Sequence, residues 1–545
     1  MTFKAPSSSS GRPAFSLSAA SLRLKPFGGN GPPWFVAALA FLVAAGAVLP
    51  PVYLVVRTIE GGSAAWDAVW RQSTLDLLLQ TGGLAVAVTA ASLAIALPLA
   101  WLVTRSDLPL RRAWVVLLVL PLVFPSYTAA FALVAALGPR GMLQDLLEPL
   151  GVDRLPSIYG FDGAWFVLTI ISYPYVFLTL RAGFLGMDAS LEEAARGLGK
   201  GAIATFLRVT LPNLRPAIAA GSILVALYAL SDFGAVSILR FDSLTSVIYT
   251  QYRSSFDRSA AAALSLLLVG LALCVVVLEG FTRGRAAYYS RARRAPTLVA
   301  LGRWRWPALA FCGVVAFMGV VLPLLVIGYW AVRGLAHGES GQISQGPIVN
   351  SVWASTLAAL ATVAAALPVA FLAVRYRGRV SALLERLTYA GFALPGIAIA
   401  LSLVFFAANY TPWLYQSMAL LVFGYTVRFL PEAVGASRSA LLQVNPKTEE
   451  AARGLGAGPI RTLAQVTAPQ ILPGLSAGGL LVFLTAMKEL PLTLLLSQIG
   501  FQTLATQIWT ATNEAFFTRA AFASLILVGV SGVAVYLMLR REGYR

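Results

Sequence analysis

Residues 191–199 read Leu-Glu-Glu-Ala-Ala-Arg-Gly-Leu-Gly, and residues 448–456 read Thr-Glu-Glu-Ala-Ala-Arg-Gly-Leu-Gly. The same polar segment therefore occurs twice, 257 positions apart. Pro212 and Pro469 follow the two copies at that same offset. Nearly identical segments at a constant separation indicate an internal duplication. The sequence predicts two copies of one structural unit.

The sequence around the repeated segment is strongly apolar. Hydrophobic residues make up 58% of the 545 residues and charged residues only 12%, with a mean hydropathy of +0.76. Globular proteins contain about 25% charged residues, so this composition excludes a soluble protein. The formal net charge is +18, but the basic residues form short runs between apolar stretches, as in 283–305. This pattern is typical of loops that flank membrane spans, not of a nucleic-acid surface.

Apolar stretches that reach the roughly 20 residues needed to cross a membrane define the predicted architecture, an all-α integral membrane protein. Six predicted spans of the first half are 34–56, 78–104, 113–137, 164–187, 216–233 and 260–281. Six of the second half are 307–332, 351–374, 387–408, 413–436, 471–487 and 520–539. The uncharged stretch between Arg386 and Arg428 is too long for one helix, and residues 409–412 are its predicted turn.

Twelve spans place both termini on one side of the membrane, and six spans per half make the halves parallel, related by an axis along the membrane normal. With cytoplasmic termini, only nine of the 41 Lys and Arg residues fall in outer loops, as the positive-inside bias requires. The predicted organisation is a disordered cytoplasmic tail at 1–33, a first half at 34–285, a basic cytoplasmic linker at 286–306 and a second half at 307–545.

The repeated segment lies between the fourth and fifth predicted spans of each half, on the predicted cytoplasmic side. In the first copy, residues 193–199 predict a short helix with a glycine at its end, and residues 200–211 predict a second short helix. Pro212 is expected to begin the next span, because glycine is common after helix C-termini and proline in first turns. Two matched copies favour a shared function over a plain solvated loop.

This pattern resembles the permease subunits of bacterial type I ATP-binding-cassette importers. Their signature is Glu-Ala-Ala, three residues, Gly, nine residues, Ile, one residue and Leu-Pro. The first copy has Glu193, Ala194, Ala195, Gly199, Val209, Leu211 and Pro212 at these positions, and the second has Glu450, Ala451, Ala452, Gly456, Val466, Ala468 and Pro469. Val209, Val466 and Ala468 depart from the signature, while every spacing is kept.

The resemblance covers the chain beyond its first 33 residues and implies a channel-forming subunit of the bacterial inner membrane. It implies that the repeated loops dock onto an ATP-hydrolysing subunit, that two copies of this ATPase bind, and that a periplasmic protein delivers the substrate. Glu193, Gly199, Glu450 and Gly456 are then docking residues. The other signature residues assigned to docking are Ala194, Ala195, Pro212, Ala451, Ala452 and Pro469. The alternative is that the two glutamates only stabilise helix N-termini.

The sequence predicts no nucleotide site of its own, no cofactor and no enzymatic activity. A phosphate-binding loop needs Gly, four residues and Gly-Lys-Ser/Thr; around Gly199-Lys200, Ala194 and Gly201 occupy the positions that require Gly and Ser/Thr. The chain has two cysteines and one histidine, so a disulfide framework and a His-rich metal site are excluded. ATP is expected to bind the partner subunit.

A second matched pair of segments follows the fifth predicted span of each half. Residues 230–236 read Leu-Ser-Asp-Phe-Gly-Ala-Val and residues 487–493 read Met-Lys-Glu-Leu-Pro-Leu-Thr, so Asp232 corresponds to Glu489. Ionisable residues at membrane depth are costly and indicate function. Asp232, Lys488 and Glu489 are therefore candidates for the translocation pathway. The alternative is that the last two lie at the outer interface and anchor the helix.

The Lys-Glu-Leu-Pro run at 488–491 and the Gly-Phe-Gln-Thr-Leu-Ala run at 500–505 resemble fused permeases that import ferric iron. Related fused permeases handle thiamine, aminophosphonates and polyamines. Ferric ion is a hard cation that prefers oxygen ligands, which is compatible with the scarcity of His and Cys. The rival class is an ion-coupled secondary transporter with two parallel six-span halves. It would predict more buried charges and no matched docking loops.

Overall fold

A computed structural model describes residues 34–139, 141–151, 155–254, 259–282, 298–338, 345–376 and 378–541. Within these ranges the chain consists of helices joined by turns and loops, and its β-structure is an isolated bridge between Ser106 and Val299. The predicted tail at 1–33 and most of the predicted linker at 286–306 lie outside the described residues. The all-helical class predicted from the sequence is confirmed for the described part of the chain.

The first half comprises α1 to α13. Their bounds are α1 Trp34–Glu60, α2 Gly62–Trp70, α3 Gln72–Arg105, α4 Arg111–Val119, α5 Ser126–Leu137, α6 Met142–Leu147, α7 Phe161–Gly186, α8 Ala189–Gly197, α9 Ala202–Thr205, α10 Leu211–Ser231, α11 Gly234–Ile238, α12 Leu244–Ser254 and α13 Ser259–Thr282. The long members are apolar on all sides, as expected of helices surrounded by lipid and by one another.

The second half comprises α14 to α26. Their bounds are α14 Arg305–Ala316, α15 Leu322–Ala336, α16 Gln345–Arg375, α17 Arg379–Thr388, α18 Ala390–Ala393, α19 Gly396–Tyr410, α20 Met418–Gln443, α21 Pro446–Gly454, α22 Pro459–Thr462, α23 Ala468–Met487, α24 Pro491–Leu496, α25 Leu504–Asn513 and α26 Phe517–Arg541. The predicted turn at 409–412 separates α19 from α20.

Ten helices in the described ranges are long and apolar enough to cross a membrane, and each coincides with a predicted span. The two exceptions are the third spans of the halves, predicted at 113–137 and 387–408. In the first half the helices on either side of residues 124–125 are bent by 93°, and counting them as one span gives eleven. In the second half only the 15 residues of α19 follow the equivalent break. The count of twelve spans is not confirmed.

A proline causes each break. Phe124 precedes Pro125 with a ψ of 128°, and Leu394 precedes Pro395 with a ψ of 122°. Both are extended conformations, because the ring of a proline excludes the preceding residue from the helical region. The third span of each half therefore carries a short non-helical step inside the molecule.

The first span of each half packs against helices of the other half as well as its own. The α1 helix packs in one hydrophobic core with α16, α19 and α20 of the second half. Its Pro50 carbonyl accepts a hydrogen bond of 2.9 Å from Ser402, and its Tyr53 hydroxyl accepts one of 3.2 Å from Asn409. Conversely, α15 packs against α5 of the first half. Each half is thus completed by a span from the other.

The segments around Pro212 and Pro469 differ from the prediction. The second short helix predicted at 200–211 does not end at Pro212; one continuous helix runs over Ala202–Ser231. A π-helical turn at Phe206–Thr210 precedes the proline, and Leu463–Thr467 forms the same turn before Pro469. A π turn inserts one residue into the helix, which accommodates a proline that cannot donate to the preceding turn.

Candidate functional site

The three predicted pathway residues line one cavity between the two halves. Its volume is about 330 Å³, and Asp232, Lys488 and Glu489 all form part of its wall. The wall comes from the third-span break, α7 and the end of α10 in the first half, and from α20 and the end of α23 in the second. The sequence-based pairing therefore selected residues that the fold brings together.

The cavity lies where equivalent positions of the two halves meet. At the repeat offset of 257, seven pairs of lining residues correspond. They are Ile171 and Arg428, Tyr175 and Glu432, Tyr228 and Thr485, Ser231 and Lys488, Asp232 and Glu489, Phe233 and Leu490, and Gly234 and Pro491. The two halves thus present the same structural positions to a shared space.

The charges of these pairs are unequal. The first half contributes one carboxylate, Asp232, whereas the second half contributes Glu432, Glu489 and two cations, Arg428 and Lys488. In the described part of the chain, no three His, Cys, Asp or Glu side chains come close enough together to hold a metal ion. The carboxylates are therefore distributed around the wall instead of forming one chelating cluster.

The cations bind backbone carbonyl groups next to the third-span breaks. The Lys488 ammonium donates a hydrogen bond of 2.9 Å to the Leu122 carbonyl, which joins the second half to the first. The Arg428 guanidinium donates to the Leu394 carbonyl within the second half. An unsatisfied backbone group costs several kcal/mol at membrane depth, so each cation stabilises one break.

Asp232 and Glu489 also have matching structural contacts. The Asp232 carboxylate accepts a hydrogen bond of 2.9 Å from the backbone amide of Ala235 in α11, and its own carbonyl accepts one of 2.6 Å from Thr245. The Glu489 carboxylate accepts a bond of 3.4 Å from the amide of Leu492 in α24. Both carboxylates thus cap the short helix that follows the fifth span, and both face the cavity.

Sequence reasoning missed Glu432 and assigned no role to Arg428, although both lie inside a predicted span. Glu432 accepts a hydrogen bond of 3.3 Å from Thr485 across the interface of α20 and α23. A carboxylate within an apolar span is itself a signal of function. The comparison of the halves did not reveal it, because the equivalent residue of the first half is Tyr175.

The two repeated loops, residues 188–201 and 445–458, directly follow α7 and α20 and have the same conformation. Asp188 caps α8 by accepting a bond from the Ser190 amide, and Asn445 caps α21 through the Lys447 amide. The Ser190 amide and hydroxyl lower the pKa of the Asp188 carboxyl. Asn445 in the second loop is uncharged.

Two glycines end the loop helices as the sequence predicts. Gly199 has a φ of +80° and Gly456 a φ of +87°, a left-handed conformation that other residues adopt only at a cost. A Cβ at either position would meet no atom within 4 Å, so the backbone angle alone requires glycine. Each glycine follows an exposed leucine, Leu198 at 81% and Leu455 at 90%.

The structure places the signature residues in two groups. Glu193, Ala194, Glu450 and Ala451 are exposed on the repeated loops, whereas Ala195 is buried and Ala452 is half-buried. Pro212 and Pro469 lie in the helices that continue from the loops and not on the loop surface. The exposed acidic and apolar side chains form a surface on which another protein could dock.

The glutamate that precedes each signature points into the molecule. Glu449 forms an ion pair of 2.8 Å with Arg375 and accepts a hydrogen bond of 2.9 Å from Thr467. Glu192 accepts a bond of 2.7 Å from Thr210 and lies 3.8 Å from Arg105. Sequence reasoning missed these residues. Their partners Arg105 and Arg375 end two similar segments, Ala-Leu-Pro-Leu-Ala-Trp-Leu-Val-Thr-Arg at 96–105 and Ala-Leu-Pro-Val-Ala-Phe-Leu-Ala-Val-Arg at 366–375, which are offset by 270 positions.

The described residues contain ten helices long and apolar enough to cross a membrane. Together with the internal repeat, the central charged cavity and the two matched surface loops, they define a multi-pass membrane transport subunit. The chain matches the family of binding-protein-dependent transport system inner membrane components twice, over residues 92–283 and 362–541. The chain belongs to this family. The two matched regions agree with the duplication read from the repeated segments.

Several curated proteins are similar to this chain. A Fe(3+)-transport system permease protein of Haemophilus influenzae is 32% identical over 514 residues, which cover 93% of this chain and 98% of the relative. A ferric transport system permease protein of Actinobacillus pleuropneumoniae is 22% identical over 77% of this chain and 64% of its own length. A molybdenum transport system permease protein of Escherichia coli is 30% identical over 39% of this chain and 93% of its own length.

Proposed function

We propose that this chain is the permease subunit of an ATP-binding-cassette importer that moves ferric iron from the periplasm to the cytoplasm. The observation that carries the proposal is the near full-length similarity to a Fe(3+)-transport permease, 98% of whose length is covered. The central cavity supports it, because carboxylate, hydroxyl and carbonyl oxygens are the ligands that a hard cation prefers. In this proposal the iron is cargo, and no metal resides in the protein.

The matched geometry of the two loops supports a proposal for the partners. One ATPase subunit docks at Glu193 and Gly199 and a second at Glu450 and Gly456, so one fused chain binds two ATPase copies. A periplasmic binding protein delivers the iron to the opposite face. Both termini are then cytoplasmic, the two halves lie parallel, and ATP binds only the partner subunits.

The cavity residues have distinct roles in this mechanism. Asp232, Glu432 and Glu489 provide negative charge toward which a released cation moves, and their separation around the wall prevents tight chelation. A pathway requires such weak binding, because a cargo that binds too strongly does not leave. Lys488 joins the halves at the Leu122 carbonyl, so movement of the halves changes the cavity directly.

The test is uptake of radiolabelled ferric iron into proteoliposomes that contain the chain, its ATPase and external iron-loaded binding protein. ATP inside the vesicles should produce uptake, and a non-hydrolysable analogue should not. Uptake of thiamine, an aminophosphonate or a polyamine without uptake of iron would keep the importer class and refute the cargo. Uptake that an uncoupler abolishes at constant ATP would instead favour an ion-coupled secondary transporter.

A further inference from the structure

Two buried networks connect the repeated loops to the spanning helices, and their components correspond between the halves. Glu192 and Thr210 of the first half correspond to Glu449 and Thr467 of the second at an offset of 257 positions. Arg105 corresponds to Arg375 at an offset of 270. In each network the glutamate comes from the loop helix, the threonine from the π turn and the arginine from the end of the second span. The same three side-chain types at three separate places of each half indicate a specific role.

We propose that these glutamates are positioning residues that transmit movement of the docked ATPase to the cavity. This inference rests on the proposed function, since it assumes that the loops dock an ATPase. The neighbouring Glu193 and Glu450 face outward toward such a partner, while Glu192 and Glu449 face inward. Adjacent residues of one short helix thus contact the partner and the membrane part separately.

The helix after each network leads to the cavity. Thr210 lies in the continuous helix Ala202–Ser231, and Asp232 follows its end directly. The 22 residues from Thr210 to Asp232 correspond to about 33 Å at 1.5 Å per residue. In the second half the helix that holds Thr467 ends immediately before Lys488 and Glu489. A displacement of either loop is therefore carried along a rigid helix to the cavity carboxylates.

The two networks are not equally tight. The side chains of Arg375 and Glu449 are 4% and 2% exposed at a separation of 2.8 Å, whereas those of Arg105 and Glu192 are 4% and 19% exposed at 3.8 Å. The network of the first half, which contains Arg105 and Glu192, borders a mostly apolar cavity of about 530 Å³ whose wall includes Val299. The second loop is consequently attached more rigidly, and we expect it to transmit movement more completely.

The test separates transmission from folding. Removing one partner of a buried ion pair leaves an uncompensated charge, whereas replacing both is often tolerated. The variant Arg375→Met/Glu449→Gln should therefore insert and bind the ATPase in normal amounts. Iron transported per ATP hydrolysed should fall by roughly twofold to thirtyfold, the range by which coupling residues act. The equivalent variant of the first half, Arg105→Met/Glu192→Gln, should show a smaller loss.

The matched control is the ion pair of Arg438 and Glu385, which joins α20 and α17 at 2.7 Å and differs from the networks in its exposed arginine; the two side chains are 48% and 16% exposed. Replacing both side chains of this pair with neutral ones should leave the amount of iron transported per ATP hydrolysed unchanged. Normal transport per ATP in both network variants would overturn the proposal. Low amounts of inserted protein in both would also overturn it, because the networks would then serve folding. A wild-type complex without ferric uptake would refute the proposed cargo instead.

Discussion

The glycines that end the repeated loop helices allow a test of docking, because the conformational free energy that an alanine would cost at these positions is known. Gly199 and Gly456 have left-handed φ values of +80° and +87°, and a Cβ would meet nothing within 4 Å. An alanine at either position therefore introduces only the backbone penalty, which is about 1–2 kcal/mol. This penalty reduces the population of the docking conformation by a factor of roughly 5 to 30. The ATPase should bind correspondingly more weakly.

The assay is titration of the ATPase subunit onto the chain in nanodiscs, with the dissociation constant as the readout. Gly197→Ala and Gly454→Ala are the matched controls, because each is the last residue of the same loop helix and also has free space around its Cβ position. Neither has a positive φ, so the controls should bind as the wild type does. Equal weakening by Gly199→Ala and Gly197→Ala would refute the reasoning.

Three further substitutions address the cavity. Lys488→Met removes a charged hydrogen bond to the Leu122 carbonyl, worth about 1.5–3 kcal/mol, and should lower the melting temperature of the solubilised protein. Asp232→Asn retains an oxygen that caps α11 but removes the charge, so iron uptake should fall while the melting temperature stays near that of the wild type. Gly396→Ala places a Cβ 2.8 Å from the Glu489 carboxylate and should reduce both uptake and thermal stability.

Controls for these substitutions come from the same chain. Gly529→Ala in α26 adds a Cβ with no atom within 4 Å and should change neither iron uptake nor the melting temperature. An unchanged melting temperature for Lys488→Met would contradict the role assigned to its bond with the first half. Normal uptake by Asp232→Asn would show that the carboxylate acts only as a helix cap. Equal effects at Gly396 and Gly529 would remove the steric argument.

Hydropathy and the internal repeat predicted most of the architecture from the sequence. They located ten spans correctly, because length and apolarity suffice for a continuous helix. They did not locate the breaks at Pro125 and Pro395, since the residues on both sides are equally apolar. The energy of such a break depends on tertiary partners, here the Lys488 and Arg428 side chains, which lie far away in the sequence.

The residues of the candidate site could likewise be predicted from the sequence only in part. Asp232 and Glu489 could be predicted because both halves carry a carboxylate at this position. Glu432 could not be found in that way, because the equivalent residue is a tyrosine. The inward orientation of Glu192 and Glu449 also escaped prediction, since adjacent glutamates in a short polar helix have no apolar pattern that distinguishes the buried face. Their inward orientation depends on contacts with Arg105 and Arg375, which are distant in the sequence.

The unequal charges of the cavity have a consequence for the covalent joining of the halves. Two separate copies of the second half would pair with each other and place Lys488 opposite a second Lys488, and Glu432 opposite a second Glu432. Because one polypeptide supplies both halves, each molecule always contains one wall with a single carboxylate, and a second wall with two carboxylates and two cations. After the duplication, a mutation at 428, 432 or 488 could therefore change the charge of one wall alone. In a homodimer the same mutation would place two like charges opposite each other across the symmetry axis. Fusion in this way removes the symmetry constraint that a homodimeric channel imposes on its own lining.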